Sequence, residues 1–433
     1  MRRRPRSSLV LGALLCAALL APAAGCARDA RSGDGPVVLT VGVFGAFGMK
    51  EAGLYAEYER LRPGVRIRQS SVERNENYYP QLLTRLSTGG GLADVQAVEV
   101  SNIAEVTATQ ADRLVDLGRV PGVDPGHWLP WKAAQGRTAT GALVALGTDT
   151  GPQAVCYRRD LFAAAGLPTD REAVGALWAG GWEAYLAVGR RYRDAAGRRA
   201  GTAFTDSAAG VMAAVHGSAP IRFHDGAGRP VHASDPRVRA AFDLAARFSR
   251  EGLTARLQQF TPAWDRGFAR ARFATVSCPA WMLGYIADKT GPAGKGRWDV
   301  AAAPRPGNWG GSFLVVPRAG AHRAEAARLA VWLTAPAQQA RLFAARGSFP
   351  SSRPALRRPE VAGARHPWFS DAPIGRIFGA AAEGVPVQPV GAKDLLIAKS
   401  LADVGMLRVE RRGATAETGW RAAVRAIDNA LDR

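Results

Sequence analysis

The chain has 433 residues, a formal net charge of +20, and a hydrophobic fraction of 47%. That length is too great for one small core and predicts two domains, while the hydrophobic fraction excludes a largely disordered chain. The positive charge has two explanations: an anionic partner such as nucleic acid or a lipid surface, or the arginine enrichment of a GC-rich genome. We favour the second, because the arginines are scattered along the chain rather than gathered in one stripe.

The first 26 residues predict export. A basic segment at residues 2–6 precedes an apolar stretch at 9–21, and small residues at 23–25 lead into Cys26. This order is typical of a secretory signal, and a cysteine directly after it resembles the lipobox of bacterial lipoproteins, whose thiol receives a diacylglycerol. An ordinary secretory signal that happens to hold a cysteine is the alternative. The apolar stretch is shorter than the ~20 residues of a spanning helix, so we expect a lipid-anchored protein at the outer face of the cell membrane.

Strands and helices alternate after a polar, Gly-rich tether at residues 26–36. The order strand, helix, strand, helix, strand predicts an α/β fold with a mostly parallel sheet. These five elements are predicted at 37–44, 49–61, 65–72, 78–87 and 94–98. Further strands are predicted at 142–147, 153–157, 273–278, 299–303 and 311–316, and further helices from 160 to 166, 182–193, 236–250, 261–270, 322–334, 336–346 and 393–431.

Two of the four cysteines remain once the signal and the lipid candidate are set aside. Cys156 and Cys278 lie in the apolar, strand-like runs QAVCY and FATVSC. A cysteine pair in an exported protein can oxidise, and adjacent strands would bring the two residues within bridging reach. We expect a disulfide, with two buried free thiols as the alternative.

Signatures of common enzyme classes are missing from the sequence. It contains no GxSxG elbow, no P-loop, no GxGxxG after a strand and no HExxH. Carboxylates such as Glu99 and Asp149 show no spacing that marks them as the acid and base of glycoside cleavage. The sequence therefore favours a binding protein that needs no cofactor and no metal.

Aromatic residues beside loop-forming residues point to a ligand cleft. Trp281 lies in SCPAWM, Trp309 in PGNWGGSF and Trp264 in TPAWD. Sugars present apolar C–H faces that fit aromatic rings, and their hydroxyls need amide or carboxylate partners. Core packing is the alternative for each tryptophan, and a turn cap is the alternative for Asp149. The candidate ligand-binding residues are Trp281, Trp309, Trp264 and Phe47 for ring faces, Asn308, Asp149, Glu99 and Asn77 for hydrogen bonds, and Gly310 for close backbone approach.

Five stretches of the sequence carry a resemblance to a known family. They are YYPQLLTRLSTGGGLADVQAVEVSNI, GTDTGPQAVCYRRDLFAAAGLPTDR, RFATVSCPAWMLGYI, NWGGSFLVVP and AVWLTAPAQQARLF. In these, and in their order, the chain resembles the family 1 extracellular solute-binding proteins of bacterial ABC sugar importers. It looks most similar to actinobacterial cello-oligosaccharide-binding lipoproteins.

The resemblance implies a type II periplasmic-binding-protein-like fold, in which two discontinuous α/β lobes are joined by a hinge. Lobe 1 would hold residues 37–147 and 303–335, and lobe 2 residues 148–302 and 336–433. The resemblance also implies that an oligosaccharide binds between the lobes, that Trp281 stacks on it, and that a monomer delivers it to membrane permease subunits.

Two rival functions remain open at this point. A secreted glycan-active hydrolase would need two carboxylates ~5–10 Å apart. A polyanion-binding surface protein would follow from the positive charge, and its binding would weaken steeply with salt.

Overall fold

The computed structural model describes residues 35–196 and 202–432. The predicted signal, Cys26 and nearly all of the tether lie outside the described residues. From Val37 onward the described chain forms one compact unit. No helix in these two ranges is both long and apolar enough to cross a membrane.

The strands follow the chain in an order that separates two main sheets. They are β1 (Val37–Phe44), β2 (Val65–Val72), β3 (Val95–Glu99), β4 (Leu146–Gly147), β5 (Asp149–Thr150), β6 (Gln153–Arg158), β7 (Ala203–Thr205), β8 (Phe273–Pro279), β9 (Trp298–Ala302), β10 (Ser312–Val315) and β11 (Phe349–Pro350).

Helices connect these strands and cover the sheets. They are α1 (Leu54–Leu61), α2 (Asn75–Thr88), α3 (Val100–Thr109), α4 (Pro130–Gln135), α5 (Arg159–Ala164), α6 (Arg171–Leu177), α7 (Trp182–Ala196), α8 (Ala208–Ser218), α9 (Pro236–Arg250), α10 (Pro262–Ala269), α11 (Met282–Thr290), α12 (Arg323–Leu333), α13 (Pro336–Arg346), α14 (Arg353–Leu356), α15 (Pro359–Ala362), α16 (Ile374–Gly384), α17 (Asp394–Lys399), α18 (Leu407–Arg412) and α19 (Ala416–Leu431).

The first sheet has the order β2-β1-β3-β10-β4. Strand β1 pairs in parallel with β2 and β3, as the alternation of strands and helices predicts. Strand β10 runs antiparallel to β3 and β4, so the sheet is mixed rather than wholly parallel. The central strands β3 and β10 are almost entirely buried, because helices cover both faces of the sheet.

The second sheet has the order β7-β8-β6-β9 and is mainly antiparallel. The parallel pair in it is β7 with β8. The predicted parallel arrangement, which was drawn from the first five elements, does not extend to this sheet. All six residues of β6 are buried, and Cys156 on β6 forms a disulfide with Cys278 on β8, with Cα atoms 5.8 Å apart.

The chain passes from one sheet to the other at residues 148–152 and again at 303–311. We call these the two crossing segments. Between the sheets lies a short third pairing, in which β5 meets β11. The α/β fold with two sheet-centred halves is as predicted; the limits of the lobes, and a hinge between them, stay predictions.

Two helix boundaries differ from the sequence-based expectation because of glycines in the left-handed region. Helix α1 begins at Leu54 rather than near residue 49, after Gly53 at φ 71°. The helical tail predicted from 393 to 431 is interrupted at Gly413, φ 66°, which ends α18. Thr415 then caps α19 through its side chain.

Candidate functional site

A cavity of about 350 Å³ opens where the first sheet meets the crossing segments. Its walls come from the ends of β1 and β3, from β5, and from the residue before α11. A cavity of this size at the junction of two sheets is typical of a small-molecule site. The lining residues are Phe44, Gly45, Ala46, Phe47, Glu99, Asp149, Trp281, Trp309, Gly310, Gly311, Ser312, Leu342 and Ser348.

Aromatic rings form one wall of the cavity. The Trp281 and Trp309 rings pack edge to face, with centroids 5.6 Å apart and planes at 73°. The Trp281 indole N–H donates a hydrogen bond of 3.0 Å to the Trp309 carbonyl, which fixes the orientation of the indole. Both residues are half-buried, so part of each ring faces the cavity.

Phe260 extends this aromatic wall toward solvent. Its ring is stacked beside Trp281, with centroids 6.4 Å apart, and 55% of the residue is exposed. Its backbone has φ 62°, a conformation that bulky residues rarely adopt. A strained backbone that presents a phenyl ring beside two cavity-lining indoles points to a functional role for the ring.

Two glycines let the second crossing segment pass close to Trp281 and to Asp149. A Cβ on Gly310 would lie 2.7 Å from the Trp281 Nε1, and a Cβ on Gly311 would lie 2.5 Å from the Asp149 carbonyl oxygen. Both residues also have positive φ, 107° and 99°. No other residue fits at either position without moving the cavity wall.

Two carboxylates, Glu99 and Asp149, also line the cavity. The Asp149 Oδ1 accepts hydrogen bonds from the Ser312 N–H at 2.8 Å and the Thr148 hydroxyl at 2.7 Å. The Glu99 Oε2 accepts from the backbone N–H of Ser101 at 2.8 Å and also from its hydroxyl. Burial raises the pKa of both carboxyl groups, and these hydrogen bonds oppose the rise.

Lys132 lies on α4 and packs against the Phe313 ring of β10. Its side chain is fully buried, and the ammonium Nζ lies 3.6 Å from the centroid of the Phe313 ring. Burial lowers the pKa of Lys132 to about 7, although Asp149 and Glu99 both act to raise it. In turn, the charge of Lys132 lowers the pKa of each carboxyl group.

The structure brings six of the nine predicted ligand-binding residues to this cavity. They are Trp281, Trp309, Gly310, Glu99, Asp149 and Phe47.

Three of the predicted residues lie elsewhere. Trp264 is fully buried in a core and donates its indole N–H to Asp206. Asn77 is exposed on α2. Asn308 lines a neighbouring cavity of about 200 Å³ that shares Glu99, Trp309 and Gly310 with the first, and its amide group bonds within the crossing segments, to Gly151 and Gly310. The core packing considered for each tryptophan is thus realised by Trp264.

Lys132 and Phe260 were missed by the sequence analysis. A single lysine in PWKAAQ carries no sign of its burial, because nothing local shows that it packs against Phe313, which is distant in sequence. Phe260 could have been noticed, since it stands in a loop-like run, two residues before the Pro-Ala-Trp tripeptide at 262–264. Among the described residues, no group of three or more side chains could hold a metal ion.

Comparison with known proteins gives a consistent picture. A family model described as bacterial extracellular solute-binding protein matches residues 53–373. A crystal structure titled as an extracellular solute-binding protein of family 1 is 38% identical, with a TM-score of 0.85, and the match covers 91% of this chain and 100% of that one. No curated protein matches the chain.

More distant solved structures share the fold. The sugar-binding protein MalE from Xanthomonas citri is 19% identical with a TM-score of 0.74, and the match covers 92% of this chain and 98% of that one. A binding protein associated with an ABC transporter of B. animalis subsp. lactis, solved with β-1,6-galactobiose, is 19% identical with a TM-score of 0.69, and the match covers 92% and 97%.

Proposed function

Because this chain belongs to the bacterial extracellular solute-binding proteins, we propose that it captures a sugar in the cavity and releases it unchanged to an ABC importer. The sugar is an oligosaccharide, and a cello-oligosaccharide by the resemblance of its sequence motifs. The observation that carries this proposal is that two half-buried indoles and two carboxylates line one cavity.

The indoles and the carboxylates of the cavity suit the two kinds of surface that a sugar presents. The faces of Trp281 and Trp309 accept the apolar C–H face of a pyranose ring. Glu99 and Asp149 retain acceptor capacity beyond the hydrogen bonds described above, which suits the hydroxyls at the edge of the ring. Of two proteins with the same fold, one is named as sugar-binding and the other was solved with a bound disaccharide, which agrees with this assignment.

Capture and delivery follow from a fold with two halves. We propose that the sugar bridges lobe 1 and lobe 2 across the crossing segments and favours a closed arrangement. Permease subunits would recognise that arrangement, and a lipid on Cys26 would hold the monomer at the membrane. ATP hydrolysis by other subunits supplies the energy, so the chain itself needs no cofactor.

A thermal-shift screen tests the proposal directly. The purified protein is heated with cellobiose, cellotriose, xylobiose, chitobiose or maltose, and the sugars that raise the Tm are followed by calorimetry. A ligand at 100 times its Kd stabilises the native state by about 2.7 kcal/mol. We expect cellotriose or cellobiose to give the largest shift. A shift with none of the five sugars would contradict sugar capture.

A glycan hydrolase is the second candidate, because Glu99 and Asp149 lie in one cavity. Prolonged incubation with cello-oligosaccharides separates the two functions. We expect the sugars to be recovered at their original length, with the Glu99→Gln variant as the matched control. Shorter products from the wild-type protein, absent with the variant, would establish the hydrolase instead.

A further inference from the structure

Arginines that are distant in sequence come together at one end of the first sheet. A surface groove of about 600 Å³ lies between residues 115–121 and the chain from residue 318 through the start of α12. Valine, proline and alanine side chains form its apolar lining, and the remaining lining is mostly cationic. The charged lining residues are Arg119, Arg318, Arg323, Arg328 and Asp116. A groove of this composition suits a partner that carries both anionic and apolar groups.

Neighbouring acids neutralise only two of these four arginines. Arg119 and Arg328 each form an ion pair with an acidic residue three positions earlier in the chain. Arg318 and Arg323 instead donate to backbone carbonyl oxygens, at 2.7 and 3.2 Å, and neither has an ion-pair partner within residues 35–196 and 202–432. A backbone carbonyl orients a guanidinium group without cancelling its charge, so the groove remains positively charged.

A second group of basic residues lies at the end of α1. Arg60 and Arg62 are exposed on either side of Leu61, itself 59% exposed. An exposed apolar side chain between basic residues suits the interface of an anionic membrane, where it enters the headgroup region. Helix α1 packs on α12 through Tyr58 and Trp332, whose ring centroids are 5.2 Å apart. The two groups of arginines therefore lie on neighbouring elements.

The strand directions place both groups at the end of the sheet that is remote from the cavity. Strand β1 runs toward the cavity, which its last residue Phe44 lines, and β10 runs away from it, starting at the cavity-lining Ser312. The start of β1 and the residues after β10 thus share the remote end. The connection from α1 to β2 lies there too, because the Val37 N–H donates to the Gly64 carbonyl at 2.8 Å. The chain from the predicted lipid site at Cys26 joins the fold at this same end.

We propose that this end of the protein binds the anionic phospholipid headgroups of a membrane surface. We call it the basic face, and we define it by Arg60, Leu61, Arg62, Arg318 and Arg323. Guanidinium groups bind phosphate oxygens through two parallel hydrogen bonds. Each basic residue near an anionic bilayer contributes about fivefold to affinity. Because the cavity lies at the other end of the sheet, binding through the basic face leaves the cavity free.

Sedimentation with lipid vesicles tests this proposal. The chain from residue 26 onward is used with Cys26→Ser, so that no acyl chain contributes to binding. Vesicles of phosphatidylcholine are prepared with and without about 30% phosphatidylglycerol, and the partition coefficient is measured on each. We expect binding to the phosphatidylglycerol vesicles alone. It should weaken at least tenfold between about 0.1 M and 1 M salt, because the Debye length falls from about 10 Å to about 3 Å.

Two double variants locate the binding on the basic face. We expect Arg318→Gln/Arg323→Gln and Arg60→Gln/Arg62→Gln each to lower the partition coefficient on phosphatidylglycerol vesicles by about 25-fold, from fivefold per arginine. The Tm of each variant reports whether it is folded. The side chains of Arg60 and Arg62 make no hydrogen bond or ion pair within the described part of the chain, so the second variant keeps the test valid if the first is unstable.

The matched control is Arg408→Gln/Arg425→Gln, which removes the same charge from exposed positions on α18 and α19. We expect it to bind phosphatidylglycerol vesicles within about twofold of the wild type. An equal loss in this control would mean that net charge alone drives binding, and equal binding to neutral vesicles would mean that headgroup charge plays no part. Either result would overturn the proposal.

Soluble polyglutamate serves as a second probe, because an acidic protein could also meet the basic face. Binding to polyglutamate without binding to phosphatidylglycerol vesicles would assign the face to an acidic protein and overturn the proposal. The inference does not depend on sugar capture. A protein that binds the vesicles and no sugar would contradict the proposed function and leave the basic face as a lipid-binding surface.

Discussion

The tripeptide Pro-Ala-Trp occurs twice, at residues 262–264 and 279–281, and its tryptophan occupies a different environment in each copy. In the first copy, Trp264 is fully buried and its indole N–H bonds to Asp206. In the second copy, Trp281 is half-buried, its indole N–H bonds to the Trp309 carbonyl, and its ring borders the cavity. The same local sequence thus supports a core in one region and a candidate binding surface in the other.

The position of each tripeptide relative to its helix explains the difference. Pro262 is the first residue of α10, so Trp264 lies in the first turn and packs against the core. Pro279 is the last residue of β8, so Trp281 lies just before α11, at the carboxyl end of a buried strand. Trp281 therefore meets Trp309 of the second crossing segment, whereas Trp264 packs into the core beside Asp206.

Replacement of Trp264 should have the largest effect on stability. We expect Trp264→Ala to lower the free energy of unfolding by about 3–5 kcal/mol, the usual range for a buried large-to-small aromatic substitution. Denaturant unfolding followed by circular dichroism measures it, with Trp264→Phe as the milder control. A loss below about 1 kcal/mol would mean that the first tripeptide is not a core anchor.

Loss of the disulfide between β6 and β8 should have the next largest effect on stability, since the disulfide anchors the strand that ends two residues before Trp281. We expect the double variant Cys156→Ala/Cys278→Ala to lose about 2–4 kcal/mol of stability. Alkylation of the denatured, unreduced wild-type protein should leave both cysteines unmodified, as peptide mass spectrometry will show. Modified Cys156 and Cys278 would mean that the second tripeptide is held by packing alone.

Asp206, which accepts the indole hydrogen bond of Trp264, should make the free energy of unfolding depend on pH. Burial raises the pKa of Asp206 to about 6, above its unfolded value near 3.9. The folded state therefore binds more protons between these values, and the contribution of Asp206 to stability falls as pH rises from about 4 to 6.

The Asp206→Asn variant lacks this titration. As pH rises from about 4 to 6, the wild type should therefore lose stability relative to the variant, by on the order of 2 kcal/mol of unfolding free energy. Denaturant titrations at pH 4, 5, 6 and 7 measure it. A constant difference would mean that Asp206 titrates alike in both states.

The smallest effect on stability, and the clearest effect on binding, is expected for Trp281→Ala. A half-buried ring at a cavity contributes little to folding, so we expect a change in unfolding free energy below about 1 kcal/mol. The Kd for the best sugar of the screen should rise at least about tenfold, since the stacking face is lost. Full affinity in Trp281→Ala would remove Trp281 from the site.

The periodic elements of the fold were predictable, and the sheet directions were less so. Strand β1 matches its predicted limits because its apolar run is continuous and a glycine-containing bend follows it. The antiparallel directions of β6, β8 and β9 depend on long connections, and no local pattern reports where a distant strand enters a sheet. Gly53 and Gly413 are plain in the sequence, but the sequence alone did not show that they adopt left-handed conformations at helix boundaries.

The candidate site divides along the same line. Trp281, Trp309 and Gly310 were predicted because ring faces and close backbone approach leave a local signature in loops. Lys132 was not, since its burial depends on packing against Phe313, which is distant in sequence. Trp264 shows the converse error: a local signature that tertiary packing overrides.

The two crossing segments also bear on any redesign of this protein. The Gly151 N–H bonds to the Asn308 Oδ1 at 2.9 Å, and the Trp309 N–H bonds to the Gly151 carbonyl at 2.7 Å. A Cβ at Gly151 would lie 1.9 Å from the Trp309 carbonyl oxygen. The two segments are therefore paired and closely packed, and they are not independent linkers. A redesign that replaces Trp309 on the second segment to change specificity will therefore also disturb Asp149 on the first, and the two segments must be redesigned together.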